Sequence, residues 1–321
     1  MIAAVSWWDR HQVAVPLAAL GLGAVVGLLA PSAAPALSLT ITPILGLLLF
    51  ATFVGVPLLR LARSFLDVRF LVTVLILDFV VAPLAAFALS RGVVDDRGLL
   101  LGVLLVLLTP CVDYVVVFTG LAGGDRARLL ACTPLVMLLQ IVLLPGYLAL
   151  FAGADATADL DLAPFIEAFL LLIALPLAAA AVVQALTSRM RSAAVVERAS
   201  TGAMVPLMAL TLAVVVASQI AAVGTAVGTL VRLIPLYIVF LGAMVAVGLV
   251  VARIARLDTP SARAVTFSGA TRNSLVVLPL ALALPPSLGI AALAVVTQTL
   301  VELVGMVLLV GLFRRRDRLD D

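Results

Sequence analysis

The residues with chemistry to offer sit where charge is most expensive. Asp78, Asp113, Arg272 and Glu302, together with the amide of Gln140, interrupt long stretches of Leu, Val, Ala and Ile. A charge in the middle of a membrane helix costs at least about 2.5–3.5 kcal/mol, so four of them demand a shared polar cavity or mutual pairing. Two clusters surround them. LLTPCVDYVVVFTG contains Thr109, Pro110, Cys111, Asp113 and Tyr114, and VTFSGATRNSLVVLPLAL contains Ser268, Gly269, Thr271, Arg272, Asn273 and Ser274. Such a set offers a thiol, hydroxyl and amide groups, a cation and carboxylates to a small solute or an ion. Pro110, Gly269 and Pro279 are the expected helix-breaking positions, because proline removes a backbone donor and glycine weakens a helix; the alternative for Pro110 and Pro279 is a kink, which membrane helices tolerate.

The elements that must carry these residues follow from composition. Of 321 residues 64% are apolar and 12% charged, against about 45–50% and about 25% in soluble proteins, which excludes a soluble globular domain. Ten apolar stretches are long enough to cross about 30 Å of hydrocarbon. They run approximately over 13–30, 38–58, 70–89, 99–122, 129–152, 163–186, 201–222, 232–252, 264–283 and 288–312. Each is expected to be helical, since hydrocarbon offers no partner to open backbone groups. The expected fold is therefore an all-α membrane protein of about ten transmembrane helices. PSAAPA after the first stretch is similar to a small-residue cleavage site, but the preceding segment is weakly charged and the stretch is read as a retained span.

Arginine placement predicts orientation. With the N-terminus inside, the inner segments hold Arg10, Arg60, Arg63, Arg69, Arg126, Arg128, Arg189, Arg191, Arg198, Arg253, Arg256, Arg263 and the tail Arg314, Arg315, Arg316 and Arg318. The outer loops hold only Arg91, Arg97 and Arg232. Basic loops stay cytoplasmic, so both termini are expected in the cytoplasm and the chain in an inner or plasma membrane. The acidic outer stretch 153–162 divides the spans into residues 1–152 and 163–312, followed by a basic tail, 313–321. Five helices per half force the halves into opposite orientations, the inverted repeat of secondary transporters, whose broken helices hold the solute at mid-membrane. The fourth helix of each half, spans four and nine, carries the polar clusters. Asp113 and Arg272 each lie about nine residues from the inner end of their stretch, about 14 Å deep, with Asp78, Gln140 and Glu302 within about a turn of that level.

Other classes fit less well. The single histidine, His11, leaves no multi-histidine metal site and no Ser-His-Asp triad, and GxxxxGK[ST] is absent. No enzyme is expected, no nucleic acid or nucleotide partner, and no resident cofactor; the partners are the lipid bilayer and a small anionic or metalloid solute, with Na+ or H+ as the coupling ion. Asp113 and Arg272 read either as a permanent ion pair or as a pair opened by substrate. Asp78 and Glu302 read either as proton carriers or as hydrogen-bonded clamps between helices. Cys111 reads as a soft ligand or as a small apolar filler, and Cys132 as a filler.

Spans four, five, nine and ten also carry a resemblance. PCVDYVVVFTGLAGGD resembles the stretch of arsenite efflux permeases, within the bile acid:sodium symporter superfamily, in which a membrane cysteine precedes a helix ending in a Leu-Ala-x-Gly-Asp turn. Cys111 falls on that cysteine, and Leu121, Ala122, Gly124 and Asp125 on the turn. Gln140 aligns with the glutamine of the next helix, Thr271 and Asn273 with the Ser-Asn-Asn segment, and Glu302 with an acidic position of the last helix. Two positions depart: Arg272 replaces the first asparagine, and Leu275 stands where the permeases have a glutamate. The resemblance implies gradient-driven efflux of arsenite or a related oxyanion, with Cys111 as arsenic ligand; with the polar clusters of spans four and nine, it makes Cys111, Asp113, Tyr114, Arg272 and Asn273 the expected substrate-binding set. Asp78, Gln140, Thr271, Ser274 and Glu302 are the expected ion-coupling set. In the bile acid branch, sodium sites form where the two broken helices cross. By that resemblance Asp113, Asn273, Ser274 and Gln140 would line the crossing, and sodium-coupled uptake of an organic anion is the alternative.

Overall fold

A computed structural model describes residues 14–55, 67–112, 114–153, 170–187 and 190–320. Asp113, the acidic stretch beyond Gly153 and the segment carrying His11 lie outside them. Among the described residues the chain forms helices and no strand. These are α1 (Ala14–Leu29), α2 (Ala34–Gly55), α3 (Val68–Ile76, continuing through a π-helical turn Leu77–Val81 into Ala82–Ser90), α4 (Arg97–Leu107), α5 (Tyr114–Leu121) and α6 (Arg126–Ala152). There follow α7 (Leu175–Thr187, preceded by a π-helical turn Leu170–Ala174), α8 (Arg191–Leu230), α9 (Leu233–Ile254), α10 (Thr259–Ala270), α11 (Ser274–Leu282) and α12 (Ile290–Asp320). Among the described residues six helical segments are long and apolar enough to cross a membrane: Pro31–Gly55, Val68–Val93, Leu135–Ala152, Arg191–Ala221, Ala226–Ile254 and Pro286–Arg315. Shorter apolar helices cover Ala18–Leu29, Arg97–Leu107 and Leu175–Thr187. The protein is an all-α, multi-pass membrane protein.

The chain folds into two compact units, each drawn from separated stretches of sequence. The first contains α1, α2, α7 and α8 as far as Val227. Within it Gly23 and Gly27 face the α8 backbone at Ala213 and Ala217 so closely that a methyl group at either would collide with a carbonyl; small residues let membrane helices approach without a hydrophobic driving force. The Gln184 side-chain amide donates to the carbonyls of Phe53 and Val54, at 2.9 and 3.1 Å, tying α7 to the last turn of α2.

The second unit contains α3 to α6 and α9 to α12. Aspartates start three of its helices: Asp67, Asp96 and Asp125 accept the backbone N–H three residues on, at 3.2, 3.0 and 3.0 Å, which satisfies donors that the first turn leaves open. Gly123 adopts φ +69° in the LAGGD turn between α5 and α6, a left-handed conformation that favours glycine. The turn that resembles the permeases is thus a chain reversal ending in a helix cap. The π-helical turn of α3 ends two residues before Pro83, as that of α7 ends two residues before Pro176. A proline cannot donate to the carbonyl four residues back. For Pro83 that carbonyl is Phe79's, and the Tyr147 hydroxyl of α6 donates to it.

Two expected breakers do not break their helices. Gly269 lies in the last turn of α10, where the Leu77 side chain packs over it and leaves no room for a methyl group. It serves a close approach of α3 and α10. Pro279 lies inside α11; it removes one donor from the ladder without ending the helix, as membrane helices tolerate.

Two surface positions carry predictions. Arg256 closes α9 with φ +51°, its N–H donating to Arg253 O and that of Leu257 to Ala252 O, both at 3.0 Å. A left-handed residue other than glycine costs about 1–2 kcal/mol, partly offset by glycine's larger entropy in the unfolded chain. Arg256→Gly is therefore expected to stabilise by up to about 1 kcal/mol, read as a raised thermal midpoint of the detergent-solubilised protein. In the turn between α3 and α4, Asp95 pairs with Arg232 at 2.9 Å. The hydrogen bond from Arg232 holds the Asp95 carboxyl below its ordinary value of 3.8. A lowered folded-state value means stability that is present above the unfolded value and lost as pH falls through the folded one. Arg232→Gln is expected to remove this part of the acid dependence, so its midpoint falls less than the native one between pH 5 and pH 3.

Candidate functional site: two broken helices that pair at their breaks

The strongest polar feature of the second unit lies where two helices stop and restart. Between α4 and α5 the helix is interrupted from Leu108, and between α10 and α11 it is interrupted at Thr271–Asn273. The first break has a sequence cause: Pro110 lacks an N–H and biases Thr109 away from helical geometry. Thr271 is extended, with φ −97° and ψ 141°. Open backbone groups cannot be left in hydrocarbon, and the two breaks satisfy each other. Pro110 and Arg272 face one another as an antiparallel bridge. The Cys111 N–H donates to Thr271 O at 3.3 Å and the Asn273 N–H to Thr109 O at 2.7 Å.

The two helix ends at the second break each meet a matching group. α11 begins with Asn273 as its cap, Oδ1 accepting from the Val276 N–H at 3.2 Å. The last turn of α10 faces the guanidinium of Arg272, which is fully buried. Its Nη2 donates to Ser268 O at 3.0 Å, Gly269 O at 2.6 Å and Asp78 Oδ1 at 3.0 Å. The Ser268 hydroxyl donates to the other Asp78 oxygen at 2.6 Å. The Phe240 ring lies 5.6 Å from the guanidinium carbon, a cation–π distance. On the far side, the Arg272 backbone N–H donates to Glu302 at 2.8 Å, and the Gln298 side chain donates to the same carboxylate oxygen. One residue of the break is thus held by Asp78 of α3 through its side chain and by Glu302 of α12 through its backbone. A cavity of about 10 Å³, the space of about one water, is lined in part by Tyr237, Gln298 and Glu302.

The structure therefore gathers Asp78, Thr109, Pro110, Cys111, Thr271, Arg272, Asn273 and Glu302 at one crossing. Asp113, the partner that the sequence suggests for Arg272, lies outside the described residues. Asp78, singled out for its depth, is joined to Arg272 and so links α3 to the break. Thr271 turns its hydroxyl back to Phe267 O at 2.7 Å. Cys111 and Cys132 are buried and form no disulfide. Tyr114 is the first residue of α5. Gln140 is buried on α6, its side-chain oxygen without a partner among the described residues, as are Asn273 Nδ2 and Ser274 Oγ at the start of α11. The sequence reading missed Gln298 and Phe240. Gln298 had a legible signal, four residues before Glu302 on one helix; Phe240 had none, being one aromatic in an apolar run. Among the described residues no three of His, Cys, Asp and Glu gather to hold a metal ion.

Apolar spanning helices with two paired breaks around buried charge are a construction that membrane transporters use. Residues 42–226 match the Sodium Bile acid symporter family; this is more than half of the chain, and the chain belongs to that family. The match includes the break between α4 and α5 and ends before the one that carries Arg272. No curated protein matches the chain.

Proposed function

We propose that this protein is a secondary transporter of a small organic anion, built from two inverted five-helix repeats, with ten spans and both termini in the cytoplasm of an inner-membrane topology. The observation that carries the substrate class is the first turn of α11. Asn273 Nδ2 and Ser274 Oγ are buried there without partners among the described residues, beside the positive end of a helix dipole, which favours negative charge. Buried donors in native proteins are rarely left unpaired; a carboxylate arriving at this turn would pair them. The antiparallel bridge between the breaks supports the repeat reading, because equivalent helices of inverted halves run in opposite directions. Each compact unit also takes helices from both halves of the chain.

Glu302 is the proposed site of proton coupling, since it touches the break through the Arg272 N–H and borders the cavity. Proteoliposome uptake of radiolabelled carboxylates, screened with an imposed proton gradient, tests the reading. Saturable, gradient-dependent uptake of at least one small carboxylate is expected; protein that binds and carries none of them would overturn it.

A second reading, efflux of arsenite, is favoured by one observation: Cys111 sits in the first break, its N–H bonded across to Thr271. A thiol suits a soft metalloid. Arsenite accumulation in everted vesicles that disappears in Cys111→Ser would establish that reading over the organic anion.

A further inference from the structure

We infer that the guanidinium of Arg272 is a resident cation, occupying the oxygen cage in which crossing helices of this kind would hold a coupling sodium, so that this transporter works without sodium. The inference rests on the transporter reading above and deepens it. Discontinuous membrane helices bind cations with the carbonyls at the C-terminal ends of their half-helices, where the dipole is negative. Here the two carbonyls at that end of α10, Ser268 O and Gly269 O, both accept from one nitrogen, Arg272 Nη2, at 3.0 and 2.6 Å. The third oxygen around that nitrogen is Asp78 Oδ1, at 3.0 Å. Two carbonyls and a carboxylate are hard oxygen donors, the set a hard cation takes. The second Asp78 oxygen is committed to the Ser268 hydroxyl at 2.6 Å.

The occupant of this cage cannot exchange. Arg272 belongs to the bridge itself, with its backbone bonded to Glu302 and paired with Pro110, and its side chain is fully buried. An arginine keeps its charge at all physiological pH values. A bound sodium ion gives up its gradient by entering from one side and leaving on the other; a tethered guanidinium supplies the same charge to Asp78 and to the carbonyls permanently and carries nothing across. The free energy of transport must then come from another ion or from the solute's own gradient.

The test uses sodium alone as the probe, on the full-length protein purified in detergent. Thermal midpoints are compared in sodium chloride and in choline chloride at equal ionic strength, for the native chain and for Arg272→Gln, with equilibrium binding of radioactive sodium to the native chain as a second readout. The native midpoint is expected to be the same in both salts, with no stoichiometric sodium bound. Arg272→Gln, which empties the cage of its cation, is expected to unfold at a lower temperature in choline and to recover saturably with sodium. A sodium-specific rise of the native midpoint, or sodium bound at about one per chain, would overturn the inference. So would an Arg272→Gln protein that folds and ignores sodium. If that variant does not fold in either salt, the two native measurements decide. None of these readouts requires transport, so failure to find a carried anion would sink the functional reading without touching this one.

Discussion

Asp78→Asn is expected to destabilise the protein by about 3–5 kcal/mol, the cost of leaving a buried charge without its partner. The ion pair it removes is fully buried on both sides, with Nη2 and Oδ1 3.0 Å apart. Asparagine keeps the size of the side chain but presents a neutral group to the guanidinium, and its amide nitrogen cannot accept the Ser268 hydroxyl or the guanidinium N–H. Arg272→Met should cost a similar amount, because the Asp78 carboxylate is then left among apolar side chains. The double variant, Asp78→Asn with Arg272→Met, should be more stable than the sum of the two, since neither charge remains; replacing a whole buried pair by well-packed neutral groups is often nearly neutral. A coupling energy of at least about 2 kcal/mol is expected from unfolding of all four proteins in the same detergent. Additive losses would mean that Asp78 and Arg272 are stabilised independently, and that the crossing is held by its backbone pairing alone.

The pairing of Asp78 with Arg272 was half legible in the sequence. Composition and the spacing of apolar stretches reveal an all-α membrane protein, because hydrocarbon leaves the backbone few alternatives. Depth can also be counted, since helical rise is uniform, and it puts Asp78, Arg272 and Glu302 at one level. Depth does not say which way a side chain points around its helix. The π-helical turn at Leu77–Val81 adds a residue to the turn that carries Asp78, and this rotation is invisible to a count made in regular turns. The position of the second break was obscured for a related reason. Glycine and proline draw attention as breakers, yet Gly269 and Pro279 stay helical while the break falls between them at Thr271–Asn273. What holds it open is pairing with Thr109, Pro110 and Cys111, far away in the chain. A break stabilised by long-range hydrogen bonds leaves only a weak local signal. The dual role of Asn273 was likewise unreadable: its type suggests a polar contact, whereas the structure assigns its oxygen to a helix cap and gives its nitrogen no partner among the described residues.

That division makes Asn273→Asp the most informative test of the substrate site. Aspartate caps helices as well as asparagine, so the bond from the Val276 N–H, 3.2 Å in the native protein, has an acceptor in the variant, and α11 should begin at the same residue. What changes is the other half of the side chain. The Nδ2 donor, without a partner among the described residues, becomes an oxygen that can only accept, next to the turn at which we place the anion. Losing a hydrogen bond to a charged group costs about 1.5–3 kcal/mol, a factor of roughly 10 to 150 in affinity, and the new negative charge adds repulsion to it. Anion uptake by folded Asn273→Asp protein is therefore expected to fall by at least about 10-fold, chiefly through weaker binding, and its thermal midpoint to fall as well, because the new carboxylate is fully buried and the cap bond and helix dipole offset only part of that cost. Asn273→Ala removes the donor without adding a buried charge. It loses cap and donor together and should lose both stability, by about 1 kcal/mol, and transport. Normal uptake by a folded Asn273→Asp protein would remove the start of α11 as the anion site and leave Cys111, on the opposite side of the bridge, as the stronger guide to the solute.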